Sequence, residues 1–420
     1  MSTEGADLER DEGTGAAWQR LVACGMGREG RKGPSDEAPS EWHLESILKD
    51  ADAKFPLTGS VGGNTKALST RAIQRASYTS VYLKMRDGVR IAADVWVPDG
   101  GAGKRGVPVV FHQARYNRGM RMRKPINWWM KARNRMMRYT PSIDPIAGGG
   151  KLGFLSAGFA VVSVDVRGTG ASGGVYSRPW QTAEREDSIE ILDWIVQQPF
   201  CNGNVCLWGI SYDANAAWFT SATGHPAIKA VAPLYMFYDI YEDIAFPGGC
   251  PHHKFVADWE LLNDALDTGR FSRINWLAGI AVKGSAPVVS PRKEKAELRD
   301  NQRNHAANWT PGKDLHNINF RDDFAPVAQT TPDLLSPYHG VRDISTVSSH
   351  VPMLFVSGFF DATCEGNISA FLATTSRGMR ARLIIGPWNH SGGERHIHIQ
   401  SFLCRTISRP LNLYVISIET

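Results

Sequence analysis

One serine, one aspartate and one histidine stand where acyl-transfer chemistry would use them. Ser211 lies in NVCLWGISYDANAAWF, where an apolar run ends at Gly209-Ile210-Ser211-Tyr212 and a helical pattern follows at once. Such a strand-to-helix turn is sharp and leaves room only for small residues beside the serine backbone. It lifts the hydroxyl above a helix N-terminus, whose dipole favours negative charge. The full G-x-S-x-G form is not met, because Asp213 occupies the second position after the serine and Ala214 the third. Asp361 falls just past the run PMLFVSG, and His390 just past RLIIGP. Taken singly, each residue has a plainer reading: an incidental serine in a βα turn, a helix-capping or loop aspartate, a loop histidine. All three following predicted strands, in the order serine, acid, histidine, form a much less accidental set.

The residue types define the reaction. A serine hydroxyl is a poor nucleophile until a neighbouring base takes its proton, and His390 is the candidate base. Asp361 would hold the imidazole in one tautomer and stabilise the imidazolium. The tetrahedral oxyanion then needs donors. The backbone N–H of Tyr212 is one. The second would come from the loop after an early strand, which begins QARYNRG (113–119) and has no run of glycines for backbone donation. The Tyr116 hydroxyl is the candidate there; a packed loop tyrosine fits the sequence equally well.

Positioning these groups requires a scaffold, and the hydropathy pattern describes one. SVYLKM and VRIAADVWV alternate around Asp87-Gly88, which predicts a β-hairpin. VPVVFHQ (107–113), FAVVSVDV (159–166), NVCLWGI (204–210), IKAVAPLY (228–235), PMLFVSG (352–358) and RLIIGP (382–387) are apolar with little alternation. Strands covered on both faces read this way. Helical patterns lie between them at 184–198, with Ile189, Leu192, Ile195 and Val196 on one stripe, and at 212–222. The alternation predicts an α/β fold; the order of Ser211, Asp361 and His390 at strand ends makes an α/β-hydrolase fold the expectation, and the broken rhythm from about 236 to 345 an inserted helical cap. The expected organisation is an N-terminal extension over 1–75, the first half of the core over 76–235, the cap over 236–345, the second half over 346–400, and a short tail over 401–420.

Composition narrows the alternatives. The 420 residues are 42% hydrophobic and 21% charged, which suits a chain with a sizeable core. No apolar run approaches the roughly 20 residues of a membrane span, and the acidic start MSTEGADLERDEG has no secretory pattern, so a cytoplasmic location is expected. The six cysteines show no CxxC pair and read as incidental thiols. The net charge of +5 is local: Asn117–Thr140 holds eight Lys/Arg and no acid, so the chain as a whole is no nucleic-acid binder. That stretch reads as a solvated helix near the site's mouth, with anionic-substrate steering as an alternative; membrane contact is not expected. His252-His253 and His396-x-His398 lack further ligands at matching spacing, and DVRGTGASGG (165–174) matches no nucleotide-binding fingerprint. Neither a metal nor a cofactor is therefore expected, and Asp165 and Arg167 read as structural. The sequence does not indicate an oligomeric state.

YLKMRDGVRIAADVWVP, PVVFHQARYNRG, GFAVVSVDVRGTGASGG, GISYDA, SGFFDATCEG and IIGPWNH together resemble the X-Pro dipeptidyl-peptidase-like serine hydrolases. That group includes the CocE/NonD acyl esterases, glutaryl acylases and α-amino acid ester hydrolases. The resemblance covers about Tyr78 to His398. It implies Ser211 as nucleophile, Asp361 and His390 as its partners, Tyr116 as a side-chain oxyanion donor, and a helical cap. Ala214 stands where the family commonly has Gly. The family also carries a C-terminal β-sandwich, for which the 30 residues after His390 are too few, so the chain reads as lacking that domain. The expected function is cofactor-independent cleavage of a small acyl ester, with amides second. An X-Pro dipeptidyl aminopeptidase is one alternative, in which Asp213, Glu242 or Asp243 would anchor the substrate's α-amine. A truncated, inactive remnant is the other.

Overall fold

The computed structural model describes residues 76–99, 106–124, 126–128, 150–288, 293–329, 351–390 and 416–419. The extension read over 1–75, most of the basic stretch, His396 and His398 lie outside them.

The apolar runs become strands: β1 (Ala76–Lys84), β2 (Arg90–Pro98), β3 (Val107–Ala114), the two-residue β4 (Arg121–Met122), β5 (Ala160–Asp165), β6 (Cys201–Ile210), β7 (Ile228–Leu234), β8 (Val282–Gly284), β9 (Met353–Gly358), β10 (Ala381–Gly386) and β11 (Ile416–Glu419). Nine form one sheet in the order β1-β2-β5-β3-β6-β7-β9-β10-β11. Neighbours from β5 to β10 are parallel, while β1–β2, β2–β5 and β10–β11 are antiparallel. Residues 416–419, read from the sequence as part of a tail, thus extend the sheet through their backbone.

The helices are α1 (Gly150–Ser156), α2 (Thr182–Val196), α3 (Tyr212–Ser221), α4 (His253–Thr268), α5 (Trp276–Ala281), α6 (Lys293–Asn304), α7 (Pro311–Leu315) and α8 (Cys364–Thr375). Alternate strand residues serve opposite faces of the sheet. Phe111, Val162, Leu207 and Phe355 cluster with Ile191, Leu192 and Ile195 of α2, Trp218 of α3 and Phe371 of α8. Val110, Val161, Trp208 and Val356 cluster with Leu155 of α1. Two covered faces explain the missing alternation: every residue of β5 is buried.

The stripe assigned to α2 is corrected by the structure. Ile191, Leu192 and Ile195 are buried, whereas Ile189 is 37% exposed. Glu184, Asp187 and Ser188 occupy the first turns of the buried face, so apolarity alone misphases the helix. Between β7 and β9 the chain leaves the sheet for a π-helical turn (Tyr241–Ala245), α4 to α7, and β8, which pairs with β4. No helix among the described residues is long and apolar enough to cross a membrane.

Candidate active site

Ser211 leaves β6 with φ 62° and ψ −126°, a backbone conformation that costs a non-glycine residue about 1–3 kcal/mol. Hydrogen bonds hold it there. Its N–H donates to the Leu234 carbonyl of β7 (2.9 Å), and its carbonyl accepts from Ala214 (2.9 Å) at the start of α3. Gly209 is required by this turn, since a Cβ there would lie 2.1 Å from the Asp213 carbonyl oxygen. Tyr212 is the first residue of α3, so its N–H has no acceptor within the helix. Its ring is clamped: Trp180 stacks on it at 4.8 Å, the Trp180 indole donates to its carbonyl (3.1 Å), and its hydroxyl donates to Glu184 (3.0 Å). Burial pushes the Glu184 carboxyl up to about 8, against the lowering effect of that hydroxyl.

The structure brings Asp361 and His390 together. The His390 Nδ1 lies 3.1 Å and 2.9 Å from the two carboxylate oxygens of Asp361. Because a carboxylate only accepts, Nδ1 is the protonated donor in this contact. Asp361 is buried and also accepts from the Thr363 N–H (2.9 Å), while the imidazole side chain remains 42% exposed. The loops after β9 and β10 touch so closely that a Cβ on Gly358 would meet the Trp388 carbonyl at 2.0 Å. Ser211, Leu234, Asp361 and His390 thus all lie at or just past the C-terminal ends of adjacent parallel strands β6, β7, β9 and β10, the rim where α/β sheets bind ligands.

Tyr235, at the end of β7, was not anticipated from the sequence. It has φ 54°, its N–H donates to Val356 (2.8 Å), and its buried ring meets His390 in a T-shaped contact at 5.7 Å. Burial and the nearby Asp361 charge raise its phenol pKa. Three of the four described non-glycine residues with positive φ are Trp180, Ser211 and Tyr235. Among the described residues, strain of this kind therefore concentrates around this rim.

The loop carrying Tyr116 is buried. Arg115 makes two hydrogen bonds to Asp267 of α4 (2.9 and 2.8 Å), and Arg118 pairs with Asp94 while its N–H donates to Asp165 (3.1 Å). The sequence reading placed Arg118 in a solvated basic stretch; the structure corrects this, because Arg118 is fully buried. Desolvation makes such pairs weak sources of stability, but their geometry fixes the loop. Between them, Tyr116 is buried against Tyr212 (6.4 Å, edge-on), and its hydroxyl oxygen accepts from the Trp259 indole of α4 (3.0 Å).

Other candidates are engaged by neighbouring groups of the fold. Asp213 is fully buried and accepts from the Arg115 N–H and from His112 Nε2, both at 3.0 Å. Asp243 accepts from the Tyr238 and Asp239 N–H groups (2.6 and 2.9 Å), and Glu242 pairs with Arg321 (2.9 Å). Arg167 is engaged by Asp187 (2.6 Å) and Asp87, and Asp165 accepts from the Ala171 N–H (2.8 Å). His253 stacks on His316 at 5.6 Å, and no group of three or more His, Cys, Asp or Glu among the described residues is arranged to hold a metal.

A mainly parallel sheet, helices on both faces and a strained serine at the strand–helix junction define an α/β hydrolase. The family described as X-Pro dipeptidyl-peptidase (S15 family) matches residues 87–392. A Mycobacterium bovis protein provisionally named as a serine esterase is 34% identical over 365 residues, 80% of this chain and 56% of that protein. The chain therefore belongs to the S15 family. It is also 25% identical over 323 residues to the cocaine esterase of a Rhodococcus species, covering 74% of this chain and 49% of the relative. In fold it resembles an aminopeptidase from a marine sediment Thaumarchaeota archaeon (TM-score 0.50, 19% identity, 79% of this chain and 55% of the other). The chain spans about half the length of the curated relatives it matches.

Proposed function

We propose that this chain is a serine hydrolase that cleaves small acyl esters through an acyl-enzyme on Ser211. The observation that carries the reading is the Asp361–His390 contact and a strained serine at strand ends of the same sheet rim. In the proposed reaction His390 Nε2 takes the proton from the Ser211 hydroxyl as Oγ attacks the ester carbonyl carbon. The carbonyl π electrons move to oxygen, and the Tyr212 N–H and Tyr116 O–H receive that oxyanion. On collapse the C–O bond to the leaving alcohol breaks and His390 returns the proton to it. Water, deprotonated by His390, then attacks the acyl carbon; the acyl–Oγ bond breaks, His390 returns its proton to Ser211 Oγ, and the carboxylic acid leaves. Asp361 keeps the imidazole in the competent tautomer throughout. The described residues between β7 and β9 act as a cap, with α4 tied to the Tyr116 loop through Trp259 and Asp267.

Relatives named as esterases support ester substrates. The family description leaves an X-Pro dipeptidyl aminopeptidase as a second reading, but Asp213, Glu242 and Asp243, the acids that would hold an α-amine, already have partners. The test is turnover of p-nitrophenyl acyl esters beside Xaa-Pro-p-nitroanilides. Ester cleavage that disappears in Ser211→Ala and His390→Ala is expected. A folded chain that cleaves only the free-amine X-Pro substrate contradicts the ester reading, and one that cleaves neither is the inactive remnant.

A further inference from the structure

The Tyr116 hydroxyl has one proton to give and lone pairs to receive with. Its oxygen already accepts the Nε1–H of Trp259 at 3.0 Å, an ordinary N–H···O length. Trp259 comes from α4, 143 residues further along the chain, and is itself fixed edge-on against Trp309 (6.2 Å). Trp309 is held in turn: its indole donates to Asp314 (2.6 Å) and its N–H to the Tyr176 carbonyl (2.8 Å). A second tie runs from α4 to the same loop through Asp267 and Arg115. The position of α4 is thus locked to the Tyr116 loop at two points, one of them on the phenol oxygen itself.

The geometry assigns Trp259 as a positioning residue for the oxyanion-stabilising tyrosine, an assignment that rests on the proposed hydrolase reading. With the indole N–H occupying one lone-pair direction, the phenol O–H rotor turns its own proton away from the indole. The bond also polarises the O–H group in the direction that makes it a better donor. Preorganisation of this kind acts when charge develops on the substrate oxygen, so its loss lowers kcat and leaves KM nearly unchanged.

Trp259→Phe keeps an aromatic ring against Trp309, removes the N–H and shrinks the side chain, so the comparison with the Tyr116→Phe background isolates the hydrogen bond. A net hydrogen bond of about 0.5–1.5 kcal/mol corresponds to a loss of roughly two- to tenfold in kcat on a p-nitrophenyl ester. In a Tyr116→Phe background the same substitution changes kcat no further, because the rotor it orients is gone. A spectroscopic readout is independent of turnover: with 15N-indole labelling, the Trp259 Nε1–H resonance, identified by its absence in Trp259→Phe, shifts upfield in Tyr116→Phe. An equal loss from Trp259→Phe in both backgrounds, or a loss confined to KM, assigns Trp259 to the pocket wall and overturns the proposal. An unmoved indole resonance overturns it as well. A shifted resonance in a protein without ester turnover would retain the contact and remove the hydrolase reading, overturning the catalytic role.

Discussion

Asp213 is the residue whose loss should reveal how the candidate oxyanion donors are kept in register. Its two carboxylate oxygens accept from different elements: Oδ1 from the Arg115 N–H of the Tyr116 loop and Oδ2 from His112 Nε2 of β3, each at 3.0 Å. It directly follows Tyr212, so one buried carboxylate ties the start of α3 to the loop that presents Tyr116. Asp213→Ala leaves two buried donors without that acceptor, at about 1–3 kcal/mol each. The two orphaned donors together set an expected loss of about 2–6 kcal/mol in urea unfolding at neutral pH. Asp213→Asn retains one acceptor oxygen and should cost about half as much. Removing His112 as well, in His112→Leu/Asp213→Ala, should cost less than the sum of the single changes, because one orphaned donor is eliminated. Ester turnover should fall at least tenfold in folded Asp213→Ala, toward the 10²–10³ of a deleted oxyanion donor. A loss of stability under about 1 kcal/mol, or strict additivity with His112→Leu, would refute this account of the loop.

Two further predictions concern the same rim. Burial holds Glu184 up to about 8, above its ordinary 4.5, so its charged form is disfavoured in the fold and stability declines as pH rises from 4.5 toward 8. Glu184→Gln should flatten that decline; melting temperatures that fall equally with pH in both proteins would contradict it. Gly209→Ala places a methyl 2.1 Å from the Asp213 carbonyl oxygen and 2.6 Å from the Ala214 nitrogen. A Tm loss of several degrees and loss of reaction at Ser211 are expected, checked by melting and by active-site titration.

The parts of the sheet buried on both faces were the most legible, because continuous apolar runs such as AVVSVD have few other stable uses. Ser211, Asp361 and His390 could be picked out because strand ends are marked by Gly and Pro, and the sheet order then brings the Asp361 and His390 loops together. α2 was read out of phase because its buried stripe begins with Glu184 and Asp187, polar residues committed to Tyr212 and Arg167. Tyr235 carried a usable signal, its place at the end of the strand beside Ser211, but its left-handed backbone did not show in the residue type. Arg118 looked like part of a cationic surface; only the fold supplies Asp94 and Asp165 around it. The Trp259–Tyr116 bond joins residues too distant in the chain for any local pattern to suggest it.

The central claim is that Ser211 is an activated nucleophile, and covalent labelling tests it most directly. The purified 420-residue chain, shown to be folded by near-UV CD, is treated with a fluorophosphonate beside Ser211→Ala, and the adduct is located by peptide mass spectrometry. The account predicts one phosphonyl group on the peptide carrying Ser211 in the wild type and none in the variant. A folded wild type that remains unlabelled, or one labelled at another serine, would contradict it.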